Sequence, residues 1–512
     1  MSVRNQIKKG ALMSYVGISF NILAGLLYTP WMVSIIGQAD YGLYTLSVTI
    51  ISFFSMDFGL SSAVSRFLSK YKADKEFEKE RRFVRLSYKM FGMIALLILV
   101  ILSIVYLFID DIYMQLSPTE ISKLKVLFVV SGIFSVISFF AKPLDGILIA
   151  NERFFFNKLI TLLRKVFIVI LMVIALYLGF GVYTIVIVNA LVGFIVIISK
   201  FIYVRKTIYS NVAQTNQEKL ENHLEKPEKN MFKDVLYFSG WTTLISISQR
   251  FILNITPTVL GALAGSVQIA IFSVGMTIEG YTWTISNALS GLFLPKVTRM
   301  TISENSEVEI ERLMLKVGRL QLYIIGLIII GFATMGKEFI ELWMGQDFNN
   351  SYYVALLLVL PKIISTTQSI ADTALIALNK VKFKAYAVIA TAIISISFSI
   401  FLASFYGAIG SAIAIFTGNI VGALVFKNIL YYKVLKINVL RFFKECHLKI
   451  APALTLIAFL GFGIQKYLPT SSLVIFMLKA IFLGCIYFTI VWMISFNNYE
   501  KNLILKLKRN VK

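Results

Sequence analysis

Long runs of apolar residues alternate with short polar segments along almost the whole chain. A helix needs about 20 apolar residues to cross ~30 Å of hydrocarbon, and the runs have this length. Fourteen such runs lie near 11–36, 41–65, 86–109, 126–150, 160–180, 183–203, 235–260, 266–295, 317–335, 352–377, 386–405, 408–430, 450–467 and 472–496. Because backbone groups in lipid must be paired within their own segment, the pattern predicts an all-α integral membrane protein with about 14 transmembrane helices.

The composition agrees with this prediction and excludes other classes of protein. Hydrophobic residue types make up 58% of the chain and charged ones 15%, where a soluble domain has roughly a quarter charged residues. The two histidines, His223 and His447, fall outside the apolar runs, and no G-x-x-x-x-G-K-[ST] phosphate loop occurs. We therefore expect a protein that is not an enzyme and that has no cofactor and no metal.

The net charge of +23 is explained by where the basic residues lie. The even-numbered connections and the two ends of the chain hold 42 of the 50 Lys and Arg residues, and the odd-numbered connections hold four. By the positive-inside rule, both termini are predicted to be cytoplasmic. The charge then reports contact with the anionic headgroups of the bilayer, and nucleic acid is not an expected partner.

An internal repeat runs through the first twelve spans. Thr29-Pro30 recurs as Thr256-Pro257, and Asp145-x-x-Leu148-Ile149-Ala150 recurs as Asp372-x-x-Leu375-Ile376-Ala377, both at an offset of 227 residues. A shared offset for separate motifs indicates a duplication. We predict two pseudo-repeated six-helix lobes, 1–203 and 235–430, joined by a polar cytoplasmic linker, 204–234. Residues 431–512 then add a cytoplasmic connection, two further helices and a basic tail.

Two segments near the first and second spans resemble a known family. They are Gly37-Gln-Ala-Asp40-Tyr41-Gly42-Leu43-Tyr44 and Asp57-Phe58-Gly59-Leu60-Ser61-Ser62-Ala63-Val64-Ser65-Arg66-Phe67. They look like the signature of bacterial polysaccharide biosynthesis flippases, in the multidrug/oligosaccharidyl-lipid/polysaccharide exporter superfamily. The arrangement of six, six and two helices with a tether is similar over essentially the whole chain.

The resemblance implies a function that spacing alone would not. Members move undecaprenyl-pyrophosphate-linked oligosaccharides from the cytoplasmic to the outer leaflet by alternating access, for capsule, exopolysaccharide or O-antigen. It implies a place in the bacterial cytoplasmic (inner) membrane, a polyprenyl-pyrophosphate-linked glycan as cargo, and other polysaccharide assembly proteins as conceivable partners. Which glycan is carried stays open.

Cargo of this kind requires a polar, partly cationic cavity, since a single charge at the bilayer centre costs several kcal/mol. Arg250 lies sixteen residues past Asp234, or ~24 Å along the seventh span. Its planar guanidinium suits phosphate, and Gln249 and Asn254 add polar groups nearby. A structural ion pair between Arg250 and Glu279 is the alternative.

Further cavity candidates lie in the fourth, eighth and tenth spans. Lys142 and Lys362 each stand beside a proline, although Lys142 is also spaced to pair locally with Asp145. Lys362 has no acid within one turn, which favours a cavity role. Trp283 lies one turn after Glu279 and would stack on a sugar if it faces the cavity. Lys479 is open between helix packing and a lipid portal.

The acidic residues differ in their predicted depth in the membrane. Asp57 and Glu279 lie deep and are candidates for ion coupling, with a structural role for Asp57 in close helix packing as the alternative. The repeated Asp145 and Asp372 are expected to tie helix ends to basic segments. We expect the membrane potential to matter more than a proton or sodium gradient.

Three other functions compete with the flippase interpretation. A flippase for the peptidoglycan precursor would place several arginines in the first lobe, where we find only Lys142 and the boundary residues Arg66, Arg164 and Lys165. A cation-coupled multidrug exporter would need more carboxylates and fewer bases. A glycan polymerase or ligase would be expected to carry larger outer loops.

Overall fold

The structure is a computed structural model of the chain, and it describes residues 3–54, 60–209, 229–290, 293–301, 305–378, 380–468, 470 and 472–502. These residues are almost entirely helical and contain no strand, so the predicted all-α fold is confirmed. The chain divides into two compact units, Met1–Ala270 and Ile271–Lys512.

The first unit contains ten α-helices of eight or more residues among its described residues, several of which are broken by proline or glycine. They are α1 Val3–Ile36, α2 Gln38–Phe54, α3 Leu60–Ala73, α4 Phe77–Leu107, α5 Pro118–Phe140, α6 Pro143–Ala150, α7 Phe154–Tyr177, α8 Tyr183–Val204, α9 Lys229–Asn254 and α10 Thr256–Leu263. Pro143 begins α6 because a proline lacks the N–H that the first helical position leaves unpaired. The kink separates α6 from α5 within one predicted span.

The second unit is built around one long helix. Its α-helices of six or more described residues are α11 Ser266–Ser290, which starts in the first unit, α12 Leu294–Met300, α13 Ser306–Met344, α14 Asn349–Val359, α15 Lys362–Thr367, α16 Ser369–Ala377, α17 Val381–Val421, α18 Lys427–Leu435, α19 Lys449–Tyr467 and α20 Leu473–Ile490. Buried side chains follow α13 from Ile310 to Ile340. α13 contacts α14, α15, α16, α19 and α20, so it forms the centre of this unit.

Nine helices in the described residues are long and apolar enough to cross a membrane, or ten if the bent pair 346–377 is one span. The predicted count of fourteen is larger for identifiable reasons. α17 and α18 form one stretch, 381–435, although Gly407 breaks α17 with a φ of 54°. The second span includes residues outside the described part, and the seventh is divided between α9 and α10. The count of fourteen stays a prediction.

The order of the helices supports the duplication. The first residues of α2, α4, α6 and α7 recur as the first residues of α11, α13, α16 and α17 after 226 to 229 residues. The boundary between the compact units nevertheless falls after Ala270 and not at the predicted linker. α9 and α10, predicted to open the second lobe, pack against α2 and α3. The four domains stay a prediction, and most of the linker lies outside the described residues.

A tight contact within the first unit joins residues 256–266 to α2 and α5. A Cβ atom on Gly42 would overlap the carbonyl oxygen of Ser266, so the two backbones touch where only glycine fits. The Ser266 hydroxyl donates a hydrogen bond to Glu120. Glu120 also closes a capping box with Ser117 at the start of α5. In the predicted topology this contact lies at the outer surface.

Candidate functional site

Arg250 lies on the exposed face of α9. Arg250 and Gln249 are exposed, whereas Ser248 and Ile252 on the other face are each 8% exposed. α9 ends at Asn254, and Ile255 lies between it and α10, where Pro257 occupies the first turn. No ion pair of Arg250 occurs within the described part of the first unit. The guanidinium is therefore presented beside a helix break with its donors available.

Asn254 does not share the exposure of Arg250. Its amide donates a hydrogen bond of 3.2 Å to the Ser52 hydroxyl. The rings of Phe251 and Phe53 stand 5.0 Å apart on the same side. Asn254, predicted as a cavity residue, thus takes part in packing α9 against α2 in this structure.

Glu279 is paired with a different base from the one considered in the sequence. Its Oε1 atom lies 2.5 Å from Nζ of Lys362, and the two side chains are 6% and 19% exposed. Lys362 therefore holds this carboxylate within the second unit, and the alternative that Glu279 serves as the structural partner of Arg250 stays a prediction. Lys362 has no acid within one turn of its own helix, as the sequence shows, but it meets an acid from another helix. Glu279 precedes Lys362 by 83 residues, so helical spacing contains no signal for this pair.

Trp283 lies on α11 one turn after Glu279 and is 54% exposed. On the same helix, Thr282 and Ser286 are buried, and their hydroxyls donate to the carbonyls of Ile278 and Thr282. The exposed ring and the buried hydroxyls thus lie on different faces of α11. A role of Trp283 in stacking on a sugar stays a prediction.

Asp145 and Asp372 form equivalent ion pairs in the two repeats. Asp145 lies 2.6 Å from Lys200, and Asp372 lies 2.8 Å from Lys427. Both acids and both lysines are separated by the same 227 residues. The structural duty predicted for the acids agrees with these contacts, but each partner is on a later helix, α8 or α18. Lys142, for which a local pair with Asp145 was the alternative to a cavity role, has its Nζ 5.0 Å from the ring of Phe139.

Two buried ion pairs of the second unit were not predicted. Nζ of Lys479, 4% exposed, donates to both oxygens of Glu338, to the Leu468 carbonyl and to the Thr470 hydroxyl. Arg319 donates to Glu500, to Tyr323 and to the carbonyls of Glu445 and Ser495. Packing, and not a portal, accounts for Lys479. These pairs attach α19, α20 and residues 495–500 to α13.

Asp57 lies outside the described residues, so its predicted role in ion coupling has no structural counterpart here. Among the residues that the structure does describe, no three His, Cys, Asp or Glu side chains are grouped as a metal ion would require. Beside Lys142 and the ion pairs described above, the described helices thus hold Arg250 in the first unit and the Glu279–Lys362 pair in the second at predicted membrane depth.

Comparisons with known proteins show which families and solved structures this chain resembles. A search of curated proteins gave no match. Among solved structures, "Lipid II flippase MurJ, inward closed conformation" is similar at a TM-score of 0.73 and 15% identity, covering 97% of this chain and 99% of that one. An inward-facing multidrug resistance MATE family transporter of the MOP superfamily is similar at 0.64 and 15%, covering 81% and 94%.

A further similar structure is a MOP superfamily transporter from Pyrococcus furiosus, with a TM-score of 0.55, 15% identity and coverage of 85% and 97%. At these identities the likenesses establish the fold, which is that of flippases and transporters. With the apolar helices, they indicate a multi-pass membrane protein. The family model described as "Polysaccharide biosynthesis protein" matches residues 7–302, more than half of the sequence. This chain therefore belongs to the polysaccharide biosynthesis protein family, with the fold of the MOP superfamily.

Proposed function

We propose that the chain is a flippase that moves undecaprenyl-pyrophosphate-linked oligosaccharides from the cytoplasmic to the outer leaflet for surface polysaccharide. The single observation that carries the proposal is Arg250, a charged side chain exposed at predicted membrane depth. A guanidinium facing hydrocarbon there would cost several kcal/mol, so its exposure favours a water-filled path. A path lined by a guanidinium suits a pyrophosphate, because the planar fork forms two parallel hydrogen bonds to phosphate oxygens.

The proposal includes the predicted setting. The protein lies in the bacterial cytoplasmic membrane with both termini inside, works by alternating access and uses no nucleotide. Gln249 extends the exposed polar surface beside Arg250, and Lys142, Lys362 and Trp283 are further cargo contacts. The family supports a role in polysaccharide assembly, and the lipid II flippase with the same fold supports a polyprenyl-linked substrate.

A second candidate is the peptidoglycan-precursor flippase. The observation in its favour is the likeness to the lipid II flippase, which extends over nearly the full length of both chains. Its cargo also contains a polyprenyl pyrophosphate, so Arg250 would serve either lipid. The two candidates separate by phenotype, because loss of this chain would stop growth in one case and remove only a surface polymer in the other.

Arg250→Ala tests the proposal. A contact to a charged group contributes about 1.5 to 3 kcal/mol, so we expect this variant to abolish polymer export at unchanged protein abundance, with Lys362→Ala weaker. Arg441→Ala is the matched control, since this arginine is 63% exposed and pairs with Glu311 at the surface. Abundant Arg250→Ala protein that exports normally would refute the assignment.

A further inference from the structure

The Glu279–Lys362 pair differs from the other buried ion pairs of the second unit in how few partners it has. Lys479 donates to three different residues, and Arg319 to four. For the Lys362 ammonium and the Glu279 carboxylate, the described part of the chain supplies no polar contact besides their ion pair. A lysine ammonium has three donors, so two of those of Lys362 remain available.

A buried pair of this kind is poorly compensated. Its mutual attraction offsets the loss of hydration only when further hydrogen bonds satisfy the remaining donors and acceptors. The Lys479 and Arg319 pairs meet that condition, which suits a permanent structural role. The Glu279–Lys362 pair does not, which suits a contact that is broken and remade.

The position of Lys362 in its helix also favours exchange. Pro361 precedes it, and α15, which it begins, has only six residues. The segments 346–367 and 369–377 are bent by 55° relative to each other. Glu279, in contrast, lies within the continuous helix α11 and is 4% exposed. The lysine is thus the more accessible partner, on the segment with breaks at both ends.

We propose that Glu279 is the resident counter-ion of Lys362 and that the pyrophosphate of the cargo displaces it. This inference rests on the proposed function. While the site is empty, the carboxylate neutralises the ammonium. When a phosphate oxygen of the cargo binds the Lys362 ammonium, the ion pair between Glu279 and Lys362 breaks. The pair forms again when the cargo leaves. Glu279 is therefore a specificity-determining residue, which makes Lys362 available only to an anion strong enough to compete with a carboxylate.

Removing the Glu279 carboxylate is expected to strengthen binding of the cargo and to slow its transport. Glu279→Gln removes the competitor, so the cargo should bind more tightly and leave more slowly. Lys362→Gln should weaken binding by roughly tenfold or more, as expected for loss of a charge-assisted hydrogen bond. Because Glu279 acts only through Lys362, the double variant should bind like Lys362→Gln. A merely structural carboxylate would lower binding, transport and abundance together.

The experiment measures binding of farnesyl pyrophosphate, a water-soluble polyprenyl pyrophosphate, to the purified full chain by isothermal titration calorimetry. Glu338→Gln is the matched control, since it removes a buried carboxylate from a lysine in the same unit. We expect its Kd to equal that of the wild type, and that of Glu279→Gln to be several-fold lower.

The outcomes separate this inference from the proposed function. If Arg250→Ala weakens binding but Glu279→Gln binds no more tightly than wild type, the counter-ion role is refuted and the flippase proposal stands. If Glu279→Gln does not fold, the comparison is made with Glu279→Asp, whose shorter carboxylate competes less and which should therefore bind the probe more tightly than the wild type. Identical Kd values for Lys362→Gln and wild type would refute the inference. If the wild-type chain does not bind the probe at all, both proposals fail.

Discussion

At the scale of the residue, buried charges in this chain have long-range partners. Glu338 and Lys479 are 141 residues apart, and Arg319 and Glu500 are 181 apart. Patterns along a helix relate residues three or four positions apart, so they contain no signal for such pairs. The sequence could identify Lys479 as an unusual charge, but its role depended on Glu338, Leu468 and Thr470. For the same reason Lys362 was recognised and its partner Glu279 was not.

Lys479→Ala should destabilise the protein strongly. It leaves the carboxylate of Glu338, which is 19% exposed, without a counter-ion, and breaking a buried pair costs about 3 to 5 kcal/mol. We expect a clearly lower melting temperature of the purified protein in detergent. Lys466→Ala, an exposed lysine in the same region, serves as control. Equal melting temperatures of the two variants would contradict the role of this pair.

At the scale of the element, the sequence predicted the helices well and their interruptions less well. Apolar runs of membrane-spanning length identify helices because lipid leaves no other way to pair the backbone. The prolines at 143, 257 and 361 mark breaks at the first turn or the cap of a helix, as proline chemistry requires. The packing of α9 and α10 with the first unit was not predictable, because it depends on contacts such as those of Asn254 with Ser52 and of Phe251 with Phe53 and not on periodicity.

The duplicated ion pairs allow a comparison within one molecule. Asp372 is 17% exposed and accepts from Lys427 and Tyr431, with Lys384 at 3.6 Å. Asp145 is 39% exposed and pairs with Lys200. Half-exposed pairs contribute about 0 to 1 kcal/mol and buried ones several, so Asp372→Asn should lower stability more than Asp145→Asn. Thermal unfolding of both variants would decide, and an equal loss would contradict this ranking.

At the scale of the whole molecule, the proposed alternating access leads us to predict that the contact among Gly42, Glu120 and Ser266 opens during transport. Glu120→Cys with Ser266→Cys, joined by a short cleavable thiol cross-linker, should stop polymer export, and cleavage should restore it. The background is Cys485→Ser, since Cys446 is buried. Asp110→Cys with Lys125→Cys is the control, because that pair joins the short helix Ile109–Ile112, which follows α4, to α5. Export that continues with the first cross-link complete would exclude opening at this contact.

The energy source is also a property of the whole molecule. An anionic cargo leaving a negative cell interior gains ~2.3 kcal/mol per charge per 100 mV. We therefore expect flipping in proteoliposomes to respond to an imposed potential more than to a proton or sodium gradient. Transport driven by an ion gradient at zero potential, and lost in Asp57→Asn or Glu279→Gln, would instead indicate ion antiport.

The close approach of Gly42 to Ser266 has one more consequence. The space between the two backbones is smaller than a methyl group. The added methyl group of Gly42→Ala would therefore hold α2 and Ser266 apart and keep the outer side of the protein open. Such a variant would fold, since the rest of α2 is unchanged, but would stall with its outer surface accessible to water-soluble thiol reagents at Ser266→Cys. A single added carbon atom would then convert a cycling transporter into one arrested in a chosen state.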